Sequence, residues 1–388
     1  MTMEKQNKKI FYLSCLIYCL AAMFINCFGQ ASTSIMNSLA ISQSEIGTIL
    51  TYQAISGILT AFYLSIYGEK YNKVKTIVFA SIMLGLGCLL VFVFSFTSNT
   101  YNLTFIALMI ANIGYTTIDL TINSLISEKY ADNKNKYLPI VHTFYGLGSL
   151  FIPSFYLLST SFNSNNYIYA YLALAIIIIF VTALFISDLS KTNKSISKSI
   201  NDPYEVLKTF KAWILLLVAL LFAIFQTGIQ SWLSDYNLSV LHLNSNYSSI
   251  IITSFFTGAL IMRLLSTKIL TKIKNHNYYF ICSLISGLCL ILAMHVDNTV
   301  LYTFLLILCG FFQGGLVPTY MIIATDSFPN RQSSSSAIFV LAIGFSNLLS
   351  KVYGLIIESY SHNVLMIIIA ICLISSGIII KLLNSKHI

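Results

Sequence analysis

Asp119 is the one carboxylate of the chain that lies deep inside an apolar stretch; the other acids fall in polar segments or near the ends of apolar runs. Around it stand Asn112, Tyr115, Thr116, Asn123 and Ser127. Steps of three and four put all of these on one face of a helix. A carboxylate on a polar stripe in an otherwise oily helix marks a functional site, and in a low-dielectric surrounding it can take up and release a proton near neutral pH. This is the chemistry of proton coupling, and elimination among the acids leaves Asp119 as the expected coupling residue. A Na⁺ site with Asn112 or Asn123 as co-ligands is the variant. The plainer alternative is a structural partner for a cation within the membrane.

Neutral polar stripes recur elsewhere. One apolar run carries Asn26, Gln30, Thr33 and Asn37, another Gln226, Gln230 and Ser234, and a third Gln313, Thr319 and Tyr320. Facing one another with the Asp119 stripe, they would line a polar cavity whose amides and hydroxyls bind an uncharged polar solute. Interhelical hydrogen bonding that glues a bundle is the competing role of each. Three more ionisable groups lie inside apolar runs. Lys351, one turn after Asn347, is expected to face the cavity as a partner of Asp119 or a solute contact. Arg263 is expected to pack or gate, and His142 to be structural, with proton relay as its minority role.

The elements that must position these groups follow from composition. Apolar residues make up 57% of the chain, charged residues only 9%, and the mean hydropathy is +0.80. Soluble domains run near 25% charged, so the solvent here is a bilayer. About 20 apolar residues cross its core. Twelve such spans are expected, roughly at 10–37, 45–67, 75–97, 102–127, 137–159, 167–187, 212–234, 246–270, 277–296, 299–325, 333–358 and 363–382. The net charge of +9 does not indicate nucleic acid. Apart from Arg263 and Lys351, every Lys and Arg falls in the loops and tails of one side. By the positive-inside rule that side, with both termini, is cytoplasmic. Trp213 and Trp232 bracket the seventh span as interfacial anchors. The eight cysteines all lie in apolar runs without a CxxC pair, and read as small hydrophobes rather than a disulfide or metal framework.

A Lys/Ser/Asn-rich segment, broken at Asp202-Pro203, divides the chain. The expected organisation is a six-helix half at 1–188, a cytoplasmic linker at 189–211 and a second six-helix half at 212–388. Six plus six with a basic linker is the layout of transporters built from parallel repeats.

Several motifs carry a resemblance. Gly114-Tyr-Thr-Thr-Ile-Asp119 followed by Asn123, then His142, Gly146-Leu-Gly148 and Pro153, and Gly258 with Arg263, resemble patterns of the fucose/glucose/galactose proton symporter group of the major facilitator superfamily. Gln226 followed by Trp232 is similar to a Glu-to-Trp spacing in its seventh span. The resemblance implies an all-α fold of twelve transmembrane helices and alternating access, with Asp119 as proton site. There are departures. Gln226 stands where the group often has Glu, and the superfamily's Gly-x-x-x-Asp-Arg-x-Gly-Arg loop is reduced to Ser65-Ile-Tyr-Gly-Glu69-Lys70-Tyr-Asn72-Lys73. In that loop Glu69, Lys70 and Lys73 are expected to gate or brace.

The expected activity is secondary transport of a small polar solute, a sugar being the first class, across a bacterial inner membrane. Efflux of drugs or metabolites by antiport is the alternative, and 27 Phe and 24 Tyr are its supporting feature. No HExxH, nucleophile elbow or phosphate loop suggests an enzyme. No cofactor or metal is expected; the proton motive force drives transport, with Na⁺ as the alternative ion. The expected partners are the solute and the lipid bilayer, with no nucleic acid, and the expected state is a monomer.

Overall fold

The computed structural model describes residues 3–41, 43–97, 100–160, 167–189 and 205–385. They form α1 (Met3–Leu39), α2 (Gln43–Tyr67), α3 (Lys73–Phe94), α4 (Thr100–Lys129), α5 (Lys134–Thr160), α6 (Ile168–Leu189), α7 (Phe210–Ser239), α8 (Ser245–Ile269), α9 (Asn275–Ala293), α10 (Thr299–Gln313), α11 (Leu316–Ser327), α12 (Gln332–Leu348), α13 (Ser350–Ser359) and α14 (His362–Ser385). Local sequence sets several starts. The side chains of Asn72, Asn244 and Asn298 accept hydrogen bonds from the first-turn amides of α3, α8 and α10, the role for which Asn is preferred at a helix N-cap. Most of the expected 189–211 linker lies outside the described residues.

Among the described residues nine helical segments are long and apolar enough to cross a membrane, with α10 and α11 taken together, or ten if α12 and α13, bent by 44°, are one span. α2 and α5 occupy the places of the second and fifth expected spans, at 25 and 27 residues. The tenth expected span is not continuous: α10 ends at Gln313 and α11 begins at Leu316. Pro318 has no N–H to offer the carbonyl four residues back, Gly314, so the helical ladder fails there.

The chain forms two compact units. Unit 1 comprises Met1–Lys129, Phe144–Pro203 and Arg331–Val340; unit 2 comprises Tyr130–Thr143, Tyr204–Asn330 and Leu341–Ile388. In unit 1, α3 packs on α4 and α6, α4 on α2, and α1 on α6. In unit 2, α9 packs on α10 and α14, α10 on α8, and α7 on α14. This is one pairing scheme executed twice, as parallel repeats require.

Small residues let the backbones approach. A Cβ on Gly114 would sit 2.6 Å from both the Ala80 carbonyl oxygen and the Leu84 nitrogen, so α4 lies against α3 only because position 114 has no side chain. Gly114→Ala is therefore expected to cost about 1–3 kcal/mol, as overpacking does; thermal unfolding of the purified protein in nanodiscs measures it. Described cysteines are all free thiols, part-exposed at Cys19 and Cys372 and buried at the other six positions.

Candidate functional site

At the centre of the polar stripe on α4, Asp119 meets a residue from α1. The Tyr18 hydroxyl donates to Asp119 Oδ1 at 2.5 Å. Asn123, one turn on, donates from Nδ2 to the same oxygen at 3.1 Å and to the Asp119 carbonyl at 2.8 Å. Asp119 is 6% exposed, Tyr18 2% and Asn123 0%. A carboxylate this deep needs hydrogen-bond donors for its charge, and both converge on Oδ1. Among the described residues Oδ2 receives no hydrogen bond.

Beside this centre is a half-buried rim from α1, α4 and α5. Tyr145 packs its ring on Tyr18 with centroids 5.0 Å apart, and its hydroxyl bonds that of Tyr115 at 3.0 Å. Ser149 donates to the Tyr145 carbonyl at 3.2 Å, and Asn26 donates to Ser149 Oγ at 3.1 Å. Phe24 lies against Tyr115 and Tyr171. The rim presents phenols, a hydroxyl and an amide, all neutral. Asn26, Tyr115, Asp119 and Asn123 are thus linked through one run of side-chain contacts. The stripes did not point to Tyr18 and Tyr145, because no spacing rule separates them from the other tyrosines.

Other expected contacts are committed to neighbouring helices. Asn112 donates to the Gln53 carbonyl at 2.7 Å and to Ser56 Oγ at 3.1 Å, tying α4 to α2. The Tyr320 hydroxyl donates to the Leu215 carbonyl at 2.9 Å, tying α11 to α7. Gln313 is buried at the end of α10. In unit 2 a polar cluster joins α7 to α12: Ser346 Oγ donates to Thr227 Oγ1 at 3.0 Å, and Thr227 contacts Asn347 Oδ1 at 3.4 Å. On the same helix Gln230 is exposed, while Gln226 Oε1 and Trp232 Nε1 are buried without a partner. Trp213, by contrast, is exposed and donates to the Leu207 carbonyl at 3.0 Å, as an interfacial anchor does. The side chains of Gln30 and Lys351, with those of Thr33 and Asn37, lie outside the described ones.

Arg263 has a definite task. Its Nε donates to the Gly314 carbonyl at 3.1 Å and its Nη1 approaches the His142 carbonyl at 3.4 Å. The first of these is the carbonyl that Pro318 strands. His142 itself is buried, with 3% exposure.

Glu69, Lys70 and Lys73 separate into two roles. Glu69 Oε1 accepts the Ser333 N–H in the first turn of α12 at 2.5 Å, within unit 1. Lys73 pairs with Glu69 at 3.2 Å and with Glu128 at 2.6 Å. Ser334 Oγ donates to the Ser65 carbonyl at 2.5 Å. A carboxylate at a helix start is favoured by the unpaired amides and the dipole there. Lys70 instead is exposed, with its ammonium over the Tyr67 ring at 5.1 Å. Glu69→Gln is expected to loosen the start of α12 by about 1 kcal/mol, read as roughly fivefold faster hydrogen–deuterium exchange over residues 333–336, with no change in α14.

A family model described as Major Facilitator Superfamily matches residues 14–351. The chain is similar to a Protein TsgA homolog of Buchnera aphidicola subsp. Baizongia pistaciae (strain Bp), 23% identical over 357 residues that cover 90% of this chain and 88% of that protein. Two solved structures share its fold. The E. coli fucose:proton symporter FucP superposes with a TM-score of 0.80 at 16% identity, over 96% of this chain and 98% of that one. A bacterial homologue of the iron transporter ferroportin, in its outward-facing state, superposes with a TM-score of 0.83 at 9% identity, over 97% and 100%. With the family model spanning most of an all-helical chain, the protein belongs to the Major Facilitator Superfamily and is a multi-pass cell-membrane transporter, not an enzyme.

Proposed function

We propose that this transporter carries a small uncharged polar solute, a sugar being the first class to test, by proton-coupled alternating access. In this reading the chain crosses the membrane twelve times, with α10–α11 and α12–α13 each counted as one crossing and both termini cytoplasmic. The observation that carries the coupling is the Asp119 carboxylate, held through Oδ1 by two side-chain donors, beside a rim of neutral hydroxyl and amide groups. The neutral rim favours an uncharged solute, since a fixed charge on the solute would be desolvated there without a second counter-ion. The naming of FucP as a fucose:proton symporter agrees with this class.

The test is proton movement into proteoliposomes challenged with a panel of sugars, nucleosides and amino acids. Proton uptake with one solute class, lost when the gradient is collapsed, supports symport. Solute accumulation that survives collapse of the proton gradient sinks it and turns attention to Na⁺.

Efflux by antiport is the second reading, favoured by the rings of Phe24, Tyr115, Tyr145 and Tyr171 around the same rim. In the same vesicles it gives the opposite sign, with protons leaving as an aromatic solute enters.

A further inference from the structure

We infer that Tyr18 is the positioning residue that sets when Asp119 takes its proton, and that it thereby makes the α1–α4 contact depend on that proton. The inference rests on the reading of Asp119 as the coupling site and adds a residue to it.

The geometry is specific. Tyr18 and Asp119 are 101 positions apart and meet in a buried place, hydroxyl to Oδ1 at 2.5 Å. Asn123 Nδ2 lies 3.1 Å from the same Oδ1 and 3.5 Å from the Tyr18 oxygen. The three polar groups form a triangle with two donors on one carboxylate oxygen. An ionised carboxylate only accepts, and a hydrogen bond to it is about twice as strong as one between neutral groups. The Tyr18 hydroxyl is thus held hardest when Asp119 is charged.

Protonation changes this one bond. The incoming proton leaves a hydronium ion, which becomes water, and forms its O–H bond at Oδ2. Tyr18 keeps its own proton throughout. Oδ1 becomes a neutral carbonyl oxygen and the Tyr18 bond falls from charge-assisted to ordinary strength. The released grip is passed outward, because the Tyr18 ring lies on Tyr145, whose hydroxyl bonds Tyr115 at the rim.

Among the described residues no other charged group stands at this centre: the charged residues of α1, Glu4, Lys5, Lys8 and Lys9, lie at its start, at least nine positions before Tyr18. The helices α1, α2 and α3 pack on α4. The only charged residues of α3, Lys73 and Lys75, lie at its start, and Lys73 is engaged with Glu69 and Glu128. The single charged residue of α2, Glu45, lies near its far start, and Tyr52 and Tyr63 of that helix are exposed. α1 presents Tyr18, α5 presents Tyr145, and α4 itself presents Tyr115.

The experiment needs no solute. Wild type, Tyr18→Phe and Asp119→Asn are placed in nanodiscs and titrated by infrared difference spectroscopy. The carboxylic-acid carbonyl band that Asp119→Asn removes reports the protonated Asp119. Tyr18→Phe keeps the ring on Tyr145 and deletes only the donor. The midpoint of the band is expected to move up by about one pH unit, the size of one charge-assisted hydrogen bond. Incorporating 3-fluorotyrosine at position 18, a stronger donor of nearly the same shape, moves it down, and serves if Tyr18→Phe does not fold. A midpoint that ignores both changes leaves the coupling reading standing and overturns the role given to Tyr18. The absence of any band that Asp119→Asn removes takes away the coupling reading, and this inference with it.

Discussion

Asp119→Asn is expected to abolish uphill transport while leaving the protein folded and its solute site intact. The amide oxygen can accept from Tyr18 as Oδ1 does, and the volume is conserved, so the packing of α1 on α4 has little reason to change. What is lost is the capacity to gain and lose a proton. With an imposed difference of about two pH units, one proton per solute supports up to about 100-fold accumulation, since each unit is worth about 1.36 kcal/mol. The variant should equilibrate solute at a ratio of about one, yet still exchange labelled for unlabelled solute across the membrane. Accumulation by Asp119→Asn at the wild-type ratio would mean that the coupling ion binds elsewhere.

The second large effect is expected at Arg263. Pro318 leaves the Gly314 carbonyl without its helical donor, and the Arg263 guanidinium supplies one at 3.1 Å. In an apolar surrounding a stranded carbonyl is costly. Arg263→Leu should destabilise the protein by about 2–3 kcal/mol, the range of a lost charged hydrogen bond. The decisive measurement is a double-mutant cycle with Pro318→Ala, which restores the N–H at position 318. If Arg263 serves the broken helix, the two changes couple by about 1 kcal/mol or more, and the double variant is more stable than the sum of the single losses. Additive losses would show that Arg263 does not serve the broken helix and acts through contacts such as that with the His142 carbonyl.

These residues also show what a single sequence discloses. Asp119 was legible because charge is scarce here, and a lone carboxylate in an apolar run has few innocent explanations. The helices were legible for the same reason, since apolar runs bounded by lysines leave a membrane helix little choice. The break at Gly314-Gly315 had its signal in Pro318, although a proline kink and a true interruption look alike before the carbonyls are placed. Tyr18 was not legible. It is one tyrosine among 24, and its significance comes from a partner 101 residues away. The stripes on α4 and on α10–α11 are polar in sequence, but not all of their polarity faces one place. Asn112 and Tyr320 spend their donors on the backbones of α2 and α7, and periodicity cannot separate a side chain that binds a helix from one that awaits a solute.

The thiols have a practical meaning of their own. Six of the eight are buried and only Cys19 and Cys372 keep partial exposure. Alkylating reagents need the thiolate and a path to it, so most of the native set is silent. Reporter cysteines can be introduced into an almost unmodified background, with Cys19 and Cys372 alone replaced by serine, and fluorophore or spin-label pairs can follow the helices through a transport cycle without stripping the core of the small side chains that pack it.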